Sequence, residues 1–319
     1  MAAPVQIGIP QSPAPGMLYD HSIWSFCYAR GRLPTDFLGG CPVCSNQGMA
    51  DIPMVYSLIV TAASMPERRV ILVDSGFSGG ISMTGRRFEN IEMPQAVLAK
   101  VGFRPEDVDT LVLTHLHFDH AGNFEAFPNA KVIVQRREYE QWVRAIAEIP
   151  DRSAGKGHWA LSSMDTDVLD RVGRAARAGK VVFLDGDAEI APGIHCRLAA
   201  DTHTFGSQWV EVATSSGPHV VAGDCVYWYA NIERMWPPGY LQGNAWNMMR
   251  TFEKLRSVVG ADRLQRIVPG HDMEIFTRNP AWTAGANPVA EIHLASGEPS
   301  RLGGACALRV PTQTMEERK

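Results

Sequence analysis

The sequence lacks the features of a membrane-bound, secreted or nucleic-acid-binding protein. No apolar run among its 319 residues reaches the roughly 20 residues that a membrane-spanning helix needs. Its first residues, MAAPVQIGIPQSPAPGM, contain neither the basic segment nor the apolar core of a secretory signal. A net charge of -4 with both signs dispersed provides no basic surface for nucleic acid or anionic lipid. We therefore expect a cytoplasmic protein with no nucleic-acid partner and no membrane partner.

Cysteine is also scarce, and its spacing gives no complete metal site. The six cysteines do not reach the density of a disulfide-bonded secreted scaffold, so we expect free thiols in a reducing compartment. Cys41 and Cys44 form a single CxxC pair, whereas a tetrahedral zinc site needs two further ligands and no second CxxC exists. Two partly buried loop thiols are favoured over a metal or redox site here, and their role stays open.

The hydrophobic content is ample for a large core. Apolar residues make up 45% of the chain, which suits one large domain or two tightly joined halves. Short β-branched runs alternate with amphipathic segments, and polar motifs recur where the predicted strands end. This pattern predicts an α/β (α+β) protein in which two sheets pack together, with helices outside and chemistry on the loops at one edge. The predicted strands are Met54–Ala63, Arg69–Gly76, Asp109–His115, Ala130–Gln135, Lys180–Gly186, Ile194–Leu198, Gln208–Ala213, His219–Ala222 and Arg266–Gly270, and the predicted helices are Met93–Gly102, Arg136–Ile149, Val168–Ala178 and Asn244–Val259.

Three stretches of the chain are expected to differ in role. Residues 51–300 form the catalytic domain, and residues 301–319 form a polar C-terminal tail. Residues 1–50 are expected to be an N-terminal arm that either wraps a neighbouring subunit or frays, and its segment 34–48 is a candidate lid. The charges of RREYE, residues 136–140, are interpreted as solvated flanks of a helix.

The segment THLHFDH concentrates three of the ten histidines around one carboxylate. His115 and His117 alternate along an extended segment, so both imidazoles point to one side. Asp119 and His120 lie just beyond, where the chain turns into a helix, so one loop supplies ligands for two neighbouring sites. Imidazole and carboxylate suit zinc and are tolerated by manganese, iron and cobalt.

Further ligand types follow three apolar strands downstream. His203 stands in ADTHTFGSQ, Asp224 in HVVAGDCVY and His271 in RIVPGHD. A carboxylate at the end of an apolar strand is costly unless it is paired or bound to a cation. The chain therefore presents seven ligand residues in the order His, His, Asp, His, His, Asp, His.

HxHxDH followed by a distant His, Asp and Gly-His resembles the metallo-β-lactamase superfamily. The likeness covers residues 54–272 and includes LVDSG, whose Asp74 is expected to support the histidine loop. The resemblance implies a four-layer αββα sandwich with two zinc ions at the sheet edge, and a hydroxide that bridges them as the nucleophile. It further implies that Asp119 carries a proton to the leaving group. The implied ligands are His115, His117 and His203 for the first ion, Asp119, His120 and His271 for the second, and Asp224 for both.

Within the superfamily, the chain looks most like the N-acyl-homoserine lactonases. MLYDHS resembles their N-terminal segment, and its His21 is a candidate for substrate binding. Tyr227 stands three residues after Asp224, where those lactonases have a tyrosine that binds the substrate carbonyl and would stabilise the developing oxyanion. The alternative is that Tyr227 is simply one of a local group of aromatic side chains.

The segment after Asp224 departs from the lactonase pattern in its many aromatic residues. It predicts an apolar wall for a small hydrophobic or aromatic substrate, or a homodimer interface, and both interpretations are compatible. A zinc hydrolase that opens a lactone is the main hypothesis. The alternative is hydrolysis of another aromatic or xenobiotic electrophile, either an ester or a haloaromatic, and the intact ligand set disfavours a non-catalytic binding protein. The candidate wall residues are Trp228, Trp236, Tyr240 and Trp246.

Overall fold

The computed structural model describes residues 19–39, 48–77, 88–149, 161 and 163–302. The predictions for the arm before residue 19, for Cys41 and Cys44, and for the tail from residue 303 concern residues outside these ranges. No helix in the described ranges combines the length and the apolar character that crossing a membrane requires.

The described ranges contain strands, α-helices and short 3₁₀ turns. The strands are β1 (His21–Pro34), β2 (Met49–Thr61), β3 (Val70–Val73), β4 (Thr110–Val112), β5 (Lys131–Gln135), β6 (Val181–Leu184), β7 (Ala188–Ala191), β8 (Ile194–Ala200), β9 (Gly206–Val212), β10 (His219–Gly223), β11 (Ile267–Pro269), β12 (Ala281–Ala284) and β13 (Asn287–His293). The α-helices are α1 (Thr35–Leu38), α2 (Pro94–Val97), α3 (Phe118–Ala121), α4 (Arg136–Glu148), α5 (Thr166–Arg177), α6 (Tyr229–Arg234), α7 (Ala245–Val259) and α8 (Ile275–Arg278).

The strands form two sheets. In the first sheet the order is β12-β13-β1-β2-β3-β4-β5-β6, and in the second it is β11-β10-β9-β8-β7. Strands β3 to β6 run parallel to one another, and so do β10 and β11, whereas the other pairs are antiparallel. Because parallel strands bring their carboxyl ends to one edge, the loops after β3, β4 and β5 emerge together, as do the loops after β10 and β11.

Three apolar layers hold the sheets and helices together. Alternate residues of β1 to β5 face alternate residues of β7 to β10 and form the layer between the sheets. A larger cluster packs the outer face of the first sheet against α2, α4 and α5. A third cluster packs the outer face of the second sheet against α7. The predicted four-layer αββα sandwich is confirmed.

Most predicted elements are present with small shifts at their ends. The predicted hairpin is β2 paired antiparallel with β3, and the predicted helices at Arg136, Val168 and Asn244 are α4, α5 and α7. The helix predicted over Met93–Gly102 is instead α2 followed directly by a 3₁₀ turn, and it ends at Gly102 with a left-handed φ of 85°. Tightening of a last turn into 3₁₀ geometry is common at helix ends.

The N-terminal arm predicted for residues 1–50 must be corrected where it is described. Strand β1 lies inside the first sheet, between β13 and β2, so His21–Pro34 belongs to the fold. The strand lacks an alternating pattern because most of its residues are buried on both faces. Its serines have buried partners: the Ser25 and Ser57 hydroxyls are 2.8 Å apart, and the Ser22 hydroxyl accepts a hydrogen bond from Ala295 N. The sequence analysis also missed β12 and β13, which complete this side of the sheet.

A fully buried ion pair fastens the end of the first sheet to the segment around α2. Lys100 Nζ donates to Glu92 Oε2 at 2.8 Å and to the Asn287 carbonyl at 3.1 Å, and neither charged side chain is exposed. Burial lowers the pKa of Lys100, and Glu92 opposes this shift without cancelling it. The pair is stable only as a unit, because either charge alone would be desolvated without compensation.

Lys100→Met should therefore lower the free energy of unfolding by about 3–5 kcal/mol, because it leaves the Glu92 carboxylate buried without its cation. Adding Glu92→Gln should recover part of the loss, since no charge then remains. Denaturant titration measures both effects. The control is Arg32→Ala, which removes a pair whose side chains are 66% and 77% exposed and should cost less than about 1 kcal/mol. Equal losses for Lys100→Met and Arg32→Ala would contradict the assignment.

Candidate metal centre

The loop after β4 carries the histidine motif into the site. Asp74, which directly follows β3, accepts hydrogen bonds from Thr114 N at 2.8 Å and from the Thr114 hydroxyl. His117 is extended, with φ -64° and ψ 153°, and α3 begins at the next residue. The rings of His115 and His117 are 4.5 Å apart, so both lie on one side of the loop as the alternation predicts.

The first group of ligand-type atoms comes from His115, His117, His203 and Asp224. One atom from each lies within 4.8 Å of the others, and all four residues are buried. His203 Nε2 is 3.0 Å from His117 Nδ1 and 3.3 Å from Asp224 Oδ2. His203 comes from the turn between β8 and β9, so the group joins both sheets.

The second group consists of Asp119, His120 and His271, whose ligand-type atoms also lie within 4.8 Å of one another. Asp119 Oδ2 is 3.7 Å from His120 Nε2 and 3.6 Å from His271 Nε2. Both of these nitrogens are 3.1 Å from Asp224 Oδ1. Asp224 therefore turns one oxygen to each group, which is the arrangement that a bridging ligand requires.

The residues fit a two-metal group. His115 Nε2, His120 Nε2 and Asp224 Oδ1 are buried and have no hydrogen-bond partner among the described residues. His120 Nε2 and Asp224 Oδ1 face each other at 3.1 Å, a distance that suits an ion pair, but without good hydrogen-bond geometry. Buried polar atoms without partners are costly. Divalent cations between them would satisfy these atoms, and the donor set of imidazole nitrogen and carboxylate oxygen suits zinc or manganese, iron and cobalt.

The electrostatics of the two groups differ. Burial lowers the pKa of His115 and His117 well below the usual value and lowers the pKa of His203 to about 4, so these imidazoles are neutral at pH 7. Burial acts in the same direction on His120 and His271, but neighbouring carboxylates, Asp224 foremost, raise the pKa of both. A cation entering the second group must therefore displace protons, which makes its binding depend on pH.

Two buried contacts orient the imidazoles of the second group. Asp74 Oδ2 lies 2.7 Å from His120 Nδ1, and the Pro53 carbonyl lies 3.0 Å from His271 Nδ1, so each Nε2 faces the site. Asp74 also has a positive φ of 67°, a backbone conformation that is uncommon for residues other than glycine. These contacts agree with the supporting role expected for Asp74.

Two glycines let the backbone approach the site closely. A Cβ on Gly270 would lie 2.4 Å from Asp224 Oδ1, and a Cβ on Gly223 would lie 2.7 Å from the Thr114 hydroxyl. Gly223 also has a positive φ of 50°, a conformation that favours glycine. These glycines therefore stand before Asp224 and His271 because any side chain there would clash with the site.

Two of the residues proposed to contact substrate lie beside the first group. The Tyr227 hydroxyl is 3.3 Å from His203 Nδ1, and burial raises the pKa of Tyr227 well above its usual value. The Tyr240 ring is 6.2 Å from the His117 ring and stacks on Phe37 at 4.5 Å. Phe37, from α1, was not singled out in the sequence analysis, since nothing in the sequence shows that α1 reaches the site.

The three tryptophans have different surroundings. The Trp228 indole donates to the His271 carbonyl at 3.0 Å, so it holds the backbone of a ligand-type residue. Trp236 is 37% exposed and is covered by the Arg234 guanidinium at 4.9 Å. Trp246 is 72% exposed in the first turn of α7. No ring contact of the described residues joins Trp236 or Trp246 to the ligand-type cluster.

The substrate-binding role predicted for His21 must be corrected. Its side chain is fully buried, and its Nε2 lies 2.9 Å from the carbonyl of Pro192, which precedes β8. His203 follows the other end of β8, a strand of seven residues that spans roughly 23 Å. Burial lowers the pKa of His21 to about 4. His21 is thus a neutral core histidine at the end of the sheet opposite the site.

The sequence analysis also placed Glu138 wrongly among solvated charges. The Arg136 and Arg137 side chains are 43% and 42% exposed, as expected, but Glu138 is fully buried. It lies three residues after the end of the apolar strand β5, close to a strand end of the kind that had indicated Asp224. Its carboxylate contacts both loops that carry the first group of histidines.

Known proteins resemble the chain in sequence. An N-acyl homoserine lactonase of Bacillus sp is 28% identical over 179 residues, which are 56% of this chain and 61% of the relative. The N-acyl homoserine lactonase AttM of Azorhizobium caulinodans is 32% identical over 187 residues, which are 57% of this chain and 64% of the relative. The matched region thus spans about three fifths of the length of these curated relatives.

A solved structure supports the fold. A Bacillus thuringiensis AiiA mutant with N-decanoyl-L-homoserine bound at its active site superposes with a TM-score of 0.62 at 22% identity, covering 81% of this chain and 96% of that one. The profile of the metallo-beta-lactamase superfamily matches residues 53–271, a span that contains every ligand-type residue described above. The profile match and the αββα sandwich agree, and the chain belongs to the metallo-beta-lactamase superfamily.

Proposed function

We propose that this protein is a metal-dependent hydrolase that opens the ring of a lactone. The observation that carries the proposal is the position of Asp224 between two groups of ligand-type residues, with the Tyr227 hydroxyl beside them. The similarity to N-acyl homoserine lactonases supports a cyclic ester as the substrate. No serine or cysteine nucleophile is needed for this reaction class.

The metal ions are proposed to be two zinc ions. His115, His117 and His203 would hold the first, Asp119, His120 and His271 the second, and Asp224 both. Two bound cations would supply Lewis acidity, which polarises an ester carbonyl and activates water near neutral pH. Manganese, iron or cobalt would suit the same donors less well.

Asp119 and Tyr227 are proposed to be the catalytic side chains. The Asp119 side chain is 12% exposed, which makes it more accessible than the buried histidines around it. Burial raises its pKa, and His120 and His271 oppose that shift, so the carboxylate can take up a proton and pass it to the leaving oxygen. Burial keeps the Tyr227 hydroxyl protonated, so it can donate to a carbonyl oxygen that gains negative charge.

The substrate is proposed to be a small hydrophobic molecule. Tyr240 and Phe37 form a stacked pair beside His117 and His203, so an apolar group of the substrate would meet aromatic carbon there. Trp228 is partly buried at the other group, where it contacts the His271 carbonyl. This aromatic wall is also the observation that favours the second candidate function, hydrolysis of an aromatic ester or a haloaromatic electrophile.

We also propose a cytoplasmic location and a homodimer. The net charge of -4 and the free, buried state of Cys27, Cys196 and Cys225 support the first proposal. The exposed indole of Trp246 supports the second, since large aromatic side chains are enriched at subunit interfaces.

His117→Ala should abolish lactone opening and reduce the number of bound zinc ions. The expected loss in kcat/KM is about 100-fold or more, since even residues that only orient metal ligands contribute 10- to 100-fold. Metal analysis and a panel of lactones with short, long and aromatic substituents measure both effects. His195→Ala, on β8 outside the cluster, is the control and should behave like the unmodified protein. The proposal fails if the zinc-loaded protein opens no lactone, or if His117→Ala retains full activity.

Tyr227→Phe should lower kcat by about 100-fold while KM stays nearly constant, because the hydroxyl is proposed to act mainly on the oxyanion of the transition state. The matched control is Tyr229→Phe, since the Tyr229 hydroxyl is buried without a hydrogen-bond partner among the described residues. Steady-state kinetics on one lactone separate the two parameters. A rise in KM with unchanged kcat would assign Tyr227 to substrate binding instead.

Tyr240→Ala should raise KM by about 2- to 10-fold for aromatic substrates, because an aromatic pair contributes about 0.5–1.5 kcal/mol beyond its buried area. Short alkyl lactones should be affected less. Trp246→Ala is the control, because its indole is 72% exposed. Kinetics on matched aryl and alkyl lactones, esters and haloaromatics test both candidate functions. Equal effects on all of these substrates would contradict a contact between Tyr240 and the aromatic group of the substrate.

A further inference from the structure

Glu138 is a fully buried acid that the proposed chemistry does not use. It lies in the first turn of α4, and its carboxylate accepts four hydrogen bonds. The Oε1 atom accepts from Leu116 N at 3.0 Å and from Trp142 Nε1 at 2.9 Å. The Oε2 atom accepts from the Thr204 hydroxyl and from Gly206 N, both at 2.7 Å.

The partners of Glu138 belong to the two loops that hold the first group of histidines. Leu116 stands between His115 and His117, and Thr204 directly follows His203. Glu138 thus joins the histidine loop of the first sheet to the turn between β8 and β9 in the second. Gln208 links the same loops nearer the strands, through Gln208 N to the Thr114 carbonyl and Gln208 Nε2 to the Leu113 carbonyl.

Packing adds to these hydrogen bonds. Trp142, one helical turn after Glu138, has its ring 5.8 Å from the His117 ring. A Cβ on Gly206 would lie 2.4 Å from Glu138 N, so the chain after His203 rests directly on the start of α4. The first group is therefore held between the start of α4 and the two loops.

A carboxylate is the side chain that suits this position. Four donors converge on it, and an ionised carboxylate offers about four acceptor sites, whereas an amide presents its own donors on one side. Burial raises the pKa of Glu138, and the hydrogen bonds, led by the Thr204 hydroxyl, oppose that shift. Glutamine at this position would place its NH₂ group, a donor, opposite the N–H or O–H donors of at least one of the two loops.

The second group has its own buried carboxylate. Asp74 contacts the His120 ring directly, whereas none of the four partners of Glu138 is a histidine ring. Asp74 reaches the first group only through Thr114, whose hydroxyl lies 3.1 Å from His115 Nδ1, whereas the four partners of Glu138 include no residue of the second group. The two acids reach the site from the ends of separate parallel strands, β3 and β5.

We propose that Glu138 is the positioning residue of the first group, and that it sets the affinity of His115, His117 and His203 for their cation independently of the second group. This inference rests on the proposed function, because it requires that the cluster bind two metal ions. Glu138 touches no reacting atom in this role and acts through the backbone of Leu116 and Gly206 and through Thr204.

The test is cobalt titration of metal-depleted protein against a competing chelator, with absorbance recorded at each step. The unmodified protein should bind two ions per chain. Glu138→Gln should keep one site near its original affinity and weaken the other by roughly 10- to 100-fold, the range for residues that orient metal ligands. Thr204→Val keeps the carboxylate but removes one donor, so it should weaken the same site less and carries the test if Glu138→Gln does not fold.

The control is Glu291→Gln, in a buried carboxylate of β13 that accepts hydrogen bonds from Arg301 N and the Ser300 hydroxyl. It should lower the melting temperature but leave both cobalt sites intact. Unchanged cobalt affinities in Glu138→Gln and Thr204→Val, or an equal weakening of both sites, would overturn the inference while leaving the proposed function standing. An unmodified protein that binds no metal would overturn both.

Discussion

One buried carboxylate, Asp224, lies between two groups of histidines, and much of the surrounding structure keeps it there. Its side chain is only 3% exposed, so its charge is costly unless cations or protonated imidazoles face both of its oxygens. Gly223 and Gly270 leave room for it where a Cβ would strike Thr114 or Asp224 itself. Gly223 ends β10 and Gly270 directly follows β11, where these parallel strands bring the two chain segments together.

In the first sheet, too, buried acids stand after the ends of parallel strands. Asp74 follows β3 and Glu138 follows β5, and the histidine loop after β4 runs between them. Each acid accepts backbone N–H groups of that loop, Asp74 from Thr114 and Glu138 from Leu116. The parallel arrangement of β3, β4 and β5 therefore does more than bring loops to one edge. It places an acceptor on either side of the chain that carries His115 and His117, which fixes the direction of both rings.

The ligand-type residues and the sandwich could be predicted because they leave a local signal, a polar side chain directly after an apolar strand. Strand β1 was missed for a different reason. It is buried on both faces, and this removes the alternation of polar and apolar residues that reveals a strand in a sequence. Glu138 lies three residues after β5, and the two exposed arginines between them made the segment look solvated. The error at His21 has another origin. The similarity of a short segment does not show where a side chain lies in the fold, and the position of His21 depends on the pairing of β1 with β2 and β13.

The site is built from two kinds of structure, and this explains why the family does not determine the substrate. The ligand-type residues stand at strand ends and are fixed by buried carboxylates, whereas Phe37 stands on the short helix α1 and Tyr240 on the loop between α6 and α7. Those two segments are fastened to each other, because Gly239 N donates to the Phe37 carbonyl and a Cβ on Gly239 would lie 2.1 Å from the Asp36 carbonyl oxygen. Substitutions there can reshape the apolar wall without moving His117 or His203, since the histidines are oriented through α4 and the strands instead.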